Sequence, residues 1–175
     1  MTATTFDWKI DSDTHEVLPN FPLSQLIQKN LELLGPPQFT EEEKAFAKKT
    51  QTPLGKDFEY PLSARIESLP AAPEKRKGST DVGEVSWRVP TGGLRVASYT
   101  FGAPSHSWYV VACTGTSIGD KGLFVAARAL AFTALDLFAN PANLDNARAD
   151  FQKRKGHTPF KSLLPNDQKA PRTIR

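Results

Sequence analysis

His106 is the first residue whose type and position suggest chemistry. It lies in the short loop Gly102–Ser107, between two segments whose composition predicts β-strands. A histidine in such a turn can meet solvent or ligate a metal, because the flanking strands hold its side chain in place while a ligand still reaches it. On residue type alone, the commoner role of a loop histidine is that of an ordinary polar residue.

A second candidate is the segment Gly78–Trp87. Here Ser79, Thr80 and Asp81 lie between two glycines. These side chains either close an Asx-type turn or present two hydroxyls and a carboxylate to a ligand. The residues themselves leave both interpretations open.

Weaker candidates lie elsewhere in the chain. The loop Gly115–Gly119 precedes a long apolar helix and can hold an anion at the helix start, although an N-terminal cap is the simpler role. Cys113 is expected to be a small buried residue. His15 and His157 do not form the i, i+4 pair of a helical metal site. From composition and spacing alone, these residues make no complete active site.

Helices are predicted along much of the chain. Apolar residues at spacings of three and four predict an amphipathic helix over 23–34. Thr40 with Glu43 predicts the capping box of a second helix. A long apolar helix over 121–139, expected to be buried on most sides, precedes a final helix over 144–155.

Two strands are predicted between these helices. Residues 94–101 and 108–113 are rich in β-branched and aromatic side chains and are bounded by Gly and Pro. A long Pro-containing connector over 52–78 precedes them. The mixture of helices and strands predicts an α/β or α+β fold class.

Composition restricts the class of protein. The chain has 175 residues, one Cys and three His. This suits one compact domain and disfavours a disulfide scaffold or a zinc module built from Cys pairs. No apolar run is expected to reach the length of a membrane span, so no membrane association is expected. The single Cys and the absence of a targeting signal near Met1 predict a cytoplasmic location.

The net charge of +3 is unevenly distributed. Residues 141–175 carry a local charge of +5, and the first 140 residues carry −2. A nucleic-acid-binding protein concentrates positive charge on a structured face. Here the excess belongs to a last helix and a Pro-containing tail, so nucleic-acid binding is not expected.

Three separated motifs resemble the C-terminal part of a known enzyme family. They are residues 78–87 (GSTDVGEVSW), 102–108 (GAPSHSW) and 121–128 (KGLFVAAR). The family consists of metal-dependent amidohydrolases and metallopeptidases and includes aminoacylases and carboxypeptidases. Residues 14–20 and 35–42 also resemble its segments. The resemblance therefore extends from about Thr14 to Lys155.

The resemblance implies an α/β fold. The chain would form the second half of a three-layer αβα metallopeptidase-like catalytic domain, in which helices flank a mixed sheet. Residues 1–20 would be the end of an inserted dimerisation domain or a disordered lead-in. Residues 21–156 would be the C-terminal part of the catalytic domain, and residues 157–175 a basic tail.

The resemblance also implies hydrolysis of the amide bond of an N-acyl or aminobenzoyl amino acid, assisted by two zinc or manganese ions. His106 matches the family's last metal-ligand histidine. Ser79, Thr80 and Asp81 match a motif beside the substrate pocket. Two metals about 3.5–4 Å apart would polarise the amide carbonyl and activate a bridging water.

Most of the family's metal ligands, and its general base, belong to a region that precedes Thr14 in the resemblance. We therefore expect the chain alone to hold at most a partial metal site, to contain no catalytic residue and to be inactive. Its expected partner is the missing N-terminal half of the catalytic domain. The family also implies a possible homodimer for the whole enzyme.

The alternative is a non-catalytic module derived from the same fold, which binds a small ligand or a protein around Asp81 and His106. The two interpretations differ in their surfaces. An incomplete catalytic domain should expose an apolar sheet edge or helix face and should aggregate or bind its missing half, whereas a true module should be monodisperse and melt cooperatively. A protein that interacts through its basic tail is a third interpretation, and its binding would depend steeply on salt.

Overall fold

The computed structural model describes residues 2–72, 80–162 and 164–169, and every regular element in these ranges is a helix. The elements are α1 (Phe21–Leu34), α2 (Glu41–Gln51), a 3₁₀ turn (Thr52–Leu54), α3 (Val82–Ser86), α4 (Trp108–Thr114), α5 (Ser117–Ala139) and α6 (Pro141–Lys155). The helices α1, α2, α5 and α6 confirm the four helices predicted from the sequence.

Side-chain caps explain where the predicted helices begin. The Asn20 side chain accepts a hydrogen bond from the Leu23 amide at the start of α1. Thr40 and Glu43 form the predicted capping box of α2, in which each side chain bonds the backbone amide of the other. Asn140 accepts a similar bond at the start of α6. These caps satisfy amides that have no partner within their own helix.

The predicted mixed sheet is absent from the described residues, so the α/β fold class is wrong for them. Residues 108–113 belong to α4 rather than to a strand, and residues 94–101 have no ladder partner. A strand satisfies its backbone only through a neighbouring strand, whereas a helix does so within itself. With no neighbouring strand in the described ranges, residues 108–114 take the local hydrogen bonds of a helix.

Residues 94–99, which we call the orphan segment, keep the side-chain alternation of a strand without its ladder. The even-numbered residues of the segment line a cleft beside α5, which is the period of two that a strand produces. The close approach depends on Gly122 in α5, because a Cβ there would lie 2.8 Å from the Ala97 carbonyl oxygen. The orphan segment therefore lies against a helix and not beside another strand.

Helix α5 is the centre of the helical packing, with contacts to α1, α4 and α6. Its buried residues are Ile118 near its start and then the small or polar Gly122, Ala129 and Thr133. Asn30 of α1 donates hydrogen bonds to the Thr133 hydroxyl at 3.2 Å and to the Asp136 carboxylate at 2.9 Å. Polar contacts therefore contribute to the joining of α1 and α5.

The remaining surface of α5 is apolar and exposed, so the prediction that this helix is buried on most sides is wrong. Leu135 is 60% exposed and Phe138 is 87% exposed. The large apolar side chains exposed along the helix, which we call the α5 apolar face, are Leu123, Phe124, Leu130, Phe132, Leu135 and Phe138. Spacing indicated an apolar helix correctly, but the packing of the described elements leaves these side chains uncovered.

Helix α5 is also the one helix in the described ranges that is long and apolar enough to cross a membrane. The expectation that no apolar run reaches the length of a membrane span is therefore wrong for α5. Only 17% of its most apolar stretch is buried. A helix from a soluble core can meet the same criterion, so this finding is weak evidence for a membrane location.

The buried core is small for a chain of this length. Among the described residues, one buried cluster consists of Ala47, Leu62, Cys113 and Ile118, with Phe39 and Tyr99 packed against it. The other buried apolar residues there are Leu18, Leu23, Ile27, Ala129, Ala147 and Phe151. The accessible surface is 13251 Å², whereas a compact monomer of 19.3 kDa exposes about 8,500 Å². The chain therefore leaves unburied much of the surface that a compact domain of its mass would bury.

Candidate functional site

The segment that contains the predicted substrate motif packs against residues 14–18. Glu84 accepts a hydrogen bond from the His15 backbone amide at 2.9 Å, and its Oε1 lies 2.7 Å from His15 Nδ1. The Ser86 hydroxyl oxygen accepts a bond from the Leu18 amide at 2.9 Å. The Trp87 indole donates to a backbone carbonyl in the same stretch. Several polar side chains of this motif therefore hold one part of the chain against another.

A glycine permits this close contact. A Cβ at Gly83 would lie 1.9 Å from the His15 carbonyl oxygen, so a larger residue there would force the two segments apart. The hydrogen bond to Glu84 raises the pKa of His15 above its ordinary value of 6.5, because a carboxylate stabilises the imidazolium form. His15 is thus partnered within the chain, a contact that sequence reasoning missed.

The predicted substrate-binding residues lie at the start of α3. Ser79 falls outside the described residues. The Thr80 hydroxyl oxygen accepts a hydrogen bond from the Val82 amide at 3.3 Å, as in an ordinary turn. Asp81 is exposed and makes no side-chain cap bond to α3. Of the two residues that the structure describes, only Asp81 presents a polar group that is not used locally.

His106 lies in an exposed loop before α4, and not between two strands as predicted. It has a left-handed backbone conformation with φ of 57°, which histidine tolerates better than most residues but which remains uncommon. Ser107 steadies the loop, because its hydroxyl donates to the Pro104 carbonyl at 2.6 Å. Among the described residues, no hydrogen bond or ion pair joins His106 to Asp81. Within the described residues, the structure therefore shows no polar contact between these two predicted site residues.

The described residues do not fit a site for two metal ions. In these ranges no group of three or more His, Cys, Asp or Glu side chains could hold a metal. Cys113 is fully buried, as predicted, although it lies in a helix. His15 is engaged with Glu84. His106 thus supplies one imidazole, whereas two metals need several further ligands.

A buried carboxylate joins the starts of α2 and α5. Glu43 accepts a hydrogen bond from the Ser117 hydroxyl at 2.6 Å and forms an ion pair with Lys121 at 2.6 Å. The Thr40 amide donates to the same carboxylate at 2.7 Å. The pKa of Glu43 is lowered from its ordinary value of 4.5 to about 2. The hydrogen bond from Lys121 is the largest cause, and the hydrogen bond from Ser117 is the next. We call these groups the Glu43 junction.

Sequence reasoning found only part of the Glu43 junction. It assigned Glu43 a capping role, which the structure confirms, but it missed the tie to α5. The available signal was the pair Ser117 and Lys121, which share one face of the first turns of α5 at a spacing of four. Thr116 caps α5 by accepting a bond from the Ile118 amide, as the simpler interpretation of this loop predicted.

Two clefts flank the orphan segment. The larger has a volume of about 720 Å³ and separates the segment from α1 and from residues 63–69. The smaller has a volume of about 370 Å³ and lies between the segment and α5. Leu123, a residue of the α5 apolar face, lines the smaller cleft. The smaller cleft therefore borders the α5 apolar face at Leu123.

Comparisons with known proteins identify one curated relative. The chain matches no protein-family profile and no solved structure. It is 29% identical to the B subunit of p-aminobenzoyl-glutamate hydrolase from Escherichia coli (strain K12), over 191 aligned positions that include 95% of the chain. We call this protein the E. coli relative. The predicted resemblance is confirmed. The chain spans only 40% of the length of the E. coli relative, as a C-terminal portion of such a protein would.

Replacing Glu43 with Gln should destabilise the protein by about 2 kcal/mol, because charge-assisted hydrogen bonds at the junction are lost. A carboxyl whose pKa is lowered by folding contributes stability above its unfolded pKa and loses that contribution as pH falls through the folded value. The Glu43 contribution should therefore be full above about pH 4.5 and lost toward pH 2. Urea unfolding of both proteins across this range measures the difference.

The matched control is Glu42→Gln, which neutralises an exposed carboxyl in the same helical turn. We expect it to change stability by less than about 0.5 kcal/mol at any pH in the range. Superimposable pH profiles for Glu43→Gln and Glu42→Gln would show that the Glu43 junction does not stabilise the fold.

The His15–Glu84 contact should be visible in a titration. Glu84→Gln is expected to lower the pKa of His15, because the negative partner of the imidazolium is lost. A histidine whose pKa is raised by folding contributes stability that is full below about pH 6.5 and lost as pH rises through the folded value. NMR titration of the His15 ring protons measures the midpoint, with Asp81→Asn as the control. A midpoint that Glu84→Gln leaves unchanged would contradict this contact.

Proposed function

We propose that the chain is the C-terminal part of the catalytic domain of a metal-dependent amidohydrolase similar to the E. coli relative. The rest of that domain, which we call the complementary segment, corresponds to the part of the E. coli relative that this chain does not match. Together they would hydrolyse the amide bond of an aminobenzoyl or N-acyl amino acid. The chain alone would be inactive.

The α5 apolar face is the observation that carries this proposal. Its six large side chains lie along one helix, and exposed patches of this kind mark surfaces that another element or protein covers. Each leucine or phenylalanine that becomes buried contributes about 1.5–3 kcal/mol. The similarity to the E. coli relative supports a specific occupant, because the chain spans 40% of that protein's length.

The residues of the chain would then have divided roles. Residues 21–156 would contribute helices to the catalytic domain, with the Glu43 junction and the contacts of Asn30 holding them together. Residues 1–20 and 157–175 would lie at its periphery. Because the described residues do not form a metal site, the complementary segment would bring most of the ligands for two zinc or manganese ions. The completed enzyme would act in the cytoplasm, and a homodimer is consistent with its family.

Three exposed positions would meet the complementary segment. His106 would supply one metal ligand, since its imidazole has no partner among the described residues and its loop is exposed. Asp81, with Ser79 and Thr80, would lie beside the substrate. Their separation from one another in the present contacts is consistent with a site that forms only when the missing part packs against α4 and α5.

A non-catalytic module remains the second candidate. The observation that favours it is the internal use of the motif around Glu84, whose carboxylate bonds His15 instead of facing a cavity. Such a module would remain monomeric and fold cooperatively without a partner. Association with the complementary segment separates the two candidates directly.

Co-expression with the unmatched part of the E. coli relative should yield a complex that hydrolyses p-aminobenzoyl-glutamate. Leu135→Glu should weaken the complex at least about tenfold, because a charge replaces a leucine that the complex would bury. Leu33→Glu, which makes the same change on exposed α1 surface, should have little effect. Co-purification and dissociation on dilution measure both. A chain that stays monomeric and does not bind the complementary segment would support the non-catalytic module instead.

His106 should be needed for metal binding by the complex and not for its assembly. Elemental analysis should find two divalent ions in the complex, fewer than two in the chain alone, and fewer than two in a His106→Ala complex of normal yield. His157→Ala alters an exposed histidine far along the chain and should retain both ions. Two tightly bound ions in the chain alone, or full occupancy in His106→Ala, would remove His106 from the proposed role.

A further inference from the structure

Residues 160–162 and 164–168, which we call the latch segment, follow α6 and return to the start of the chain. The Gln168 side-chain amide donates hydrogen bonds to the two backbone carbonyls of residues 10–11, at 3.0 and 3.3 Å. The Ser162 hydroxyl donates to the Asp13 carboxylate at 2.9 Å. The latch segment is therefore joined at two separate points to the stretch that precedes His15.

Phe160 joins the latch segment to the region around α3. Its ring centroid lies 4.8 Å from that of the His15 imidazole, and the two rings are tilted by 39°. The Arg88 guanidinium, just after α3, lies 4.2 Å from the centroid of the same Phe160 ring. A cation is attracted to the face of an aromatic ring. Phe160 therefore contacts one side chain that is always charged and one whose charge depends on pH.

His15 is the titratable group at the centre of these contacts, because three parts of the chain meet there. Its own stretch continues toward α1, α3 supplies the carboxylate bonded to it, and the latch segment supplies the ring against it. The charged and titratable residues that these parts bring to His15 and Phe160 are Glu84 from α3, Arg88 after α3, Asp13 and Glu16 from the His15 stretch, and His157 and Lys161 beside Phe160 in sequence.

Protonation changes the attraction between His15 and Phe160. An imidazolium gains the cation–π attraction to the ring, and a neutral imidazole lacks it. The hydrogen bond to Glu84 is the largest cause that holds the pKa of His15 above 6.5, and the charges of Asp13 and Glu16 act in the same direction. A contact of the charged form is therefore complete below about pH 6.5 and is lost as pH rises through the higher folded value.

We propose that the latch segment is a pH-sensitive latch, which closes on residues 10–15 and Arg88 while His15 is protonated and shifts toward release when His15 loses its proton. Release would uncover His15 and Arg88 beside the predicted substrate motif. The inference goes beyond the proposed function, because the latch belongs to the chain by itself and needs neither a metal nor the complementary segment.

Proton binding by His15 and closure of the latch must strengthen each other by the same factor. Phe160→Leu keeps an apolar side chain but removes the aromatic face, so it should weaken proton binding by His15 about two- to fivefold, the size of one exposed cation–π contact. NMR titration of the His15 ring protons in the full chain measures this change. Phe138→Leu, the same substitution at an exposed ring of α5, should leave the titration unaltered. An unaltered midpoint in Phe160→Leu would overturn the proposal.

Cleavage by chymotrypsin after Phe160 measures release directly, because this side chain must leave His15 to enter the protease. The rate, divided by that of a free peptide of residues 155–167 at the same pH, follows the released fraction. In the wild-type chain this ratio should rise about two- to fivefold between about pH 6 and pH 9. His15→Phe keeps a ring against Phe160 but cannot titrate, so its ratio should stay constant. His157→Gln, which removes the exposed histidine near Phe160 in sequence, should retain the rise.

A constant ratio in the wild-type chain would overturn the latch, and so would a rise that persists in His15→Phe or disappears in His157→Gln. Circular dichroism shows whether each variant keeps its helices, and the wild-type cleavage profile requires no variant. The proposed function is tested separately by association with the complementary segment. A chain that does not associate but shows the linked behaviour of His15 and Phe160 would overturn the proposed function and support the latch.

Discussion

Backbone hydrogen bonding is the constraint on which the other features of this structure depend. An amide or carbonyl that leaves water needs a partner, and a helix finds partners within its own chain while a strand must borrow them from a neighbour. The described residues contain no neighbouring strand. Residues 108–114 consequently form a helix, and residues 94–99 remain without hydrogen bonds. Two segments with the composition of strands therefore take different conformations, and the absence of a neighbouring strand among the described residues explains both.

Polar contacts between distant residues hold the helices together where the apolar core is small. The Glu43 junction joins the starts of α2 and α5, Asn30 joins α1 to α5, and Glu84 joins α3 to His15. Each of these three side chains has specific partners, so its position is well determined. The contacts of Glu43 and Asn30 fix the orientation of α5, with Gly122, Ala129 and Thr133 buried. In that orientation the α5 apolar face is exposed to solvent.

The candidate site and the exposed surfaces lead to one interpretation. Asp81 and His106 are exposed and share no hydrogen bond or ion pair, and the described residues do not fit a metal centre. The α5 apolar face is exposed as well, and the backbone of the orphan segment makes no hydrogen bond within the described residues. Similarity to the E. coli relative extends over nearly all of the chain but over 40% of that protein. A site and a core that both need further residues are what a portion of a larger catalytic domain would contain.

Local sequence signals determined the helices with strong periodicity and caps. Thr40 and Glu43 specify a helix start by contacts within four residues, and the three-and-four spacing specifies α1 and α5, so these predictions needed no tertiary information. The order of the three motifs along the chain determined the resemblance to the amidohydrolase family. Tertiary structure alone decided which side of α5 is buried, that Glu43 pairs with Lys121 and that His15 pairs with Glu84, because residues far apart in sequence make these contacts. It also decided against the sheet, because β-propensity describes how well a residue suits a strand and cannot supply the neighbour that a strand requires.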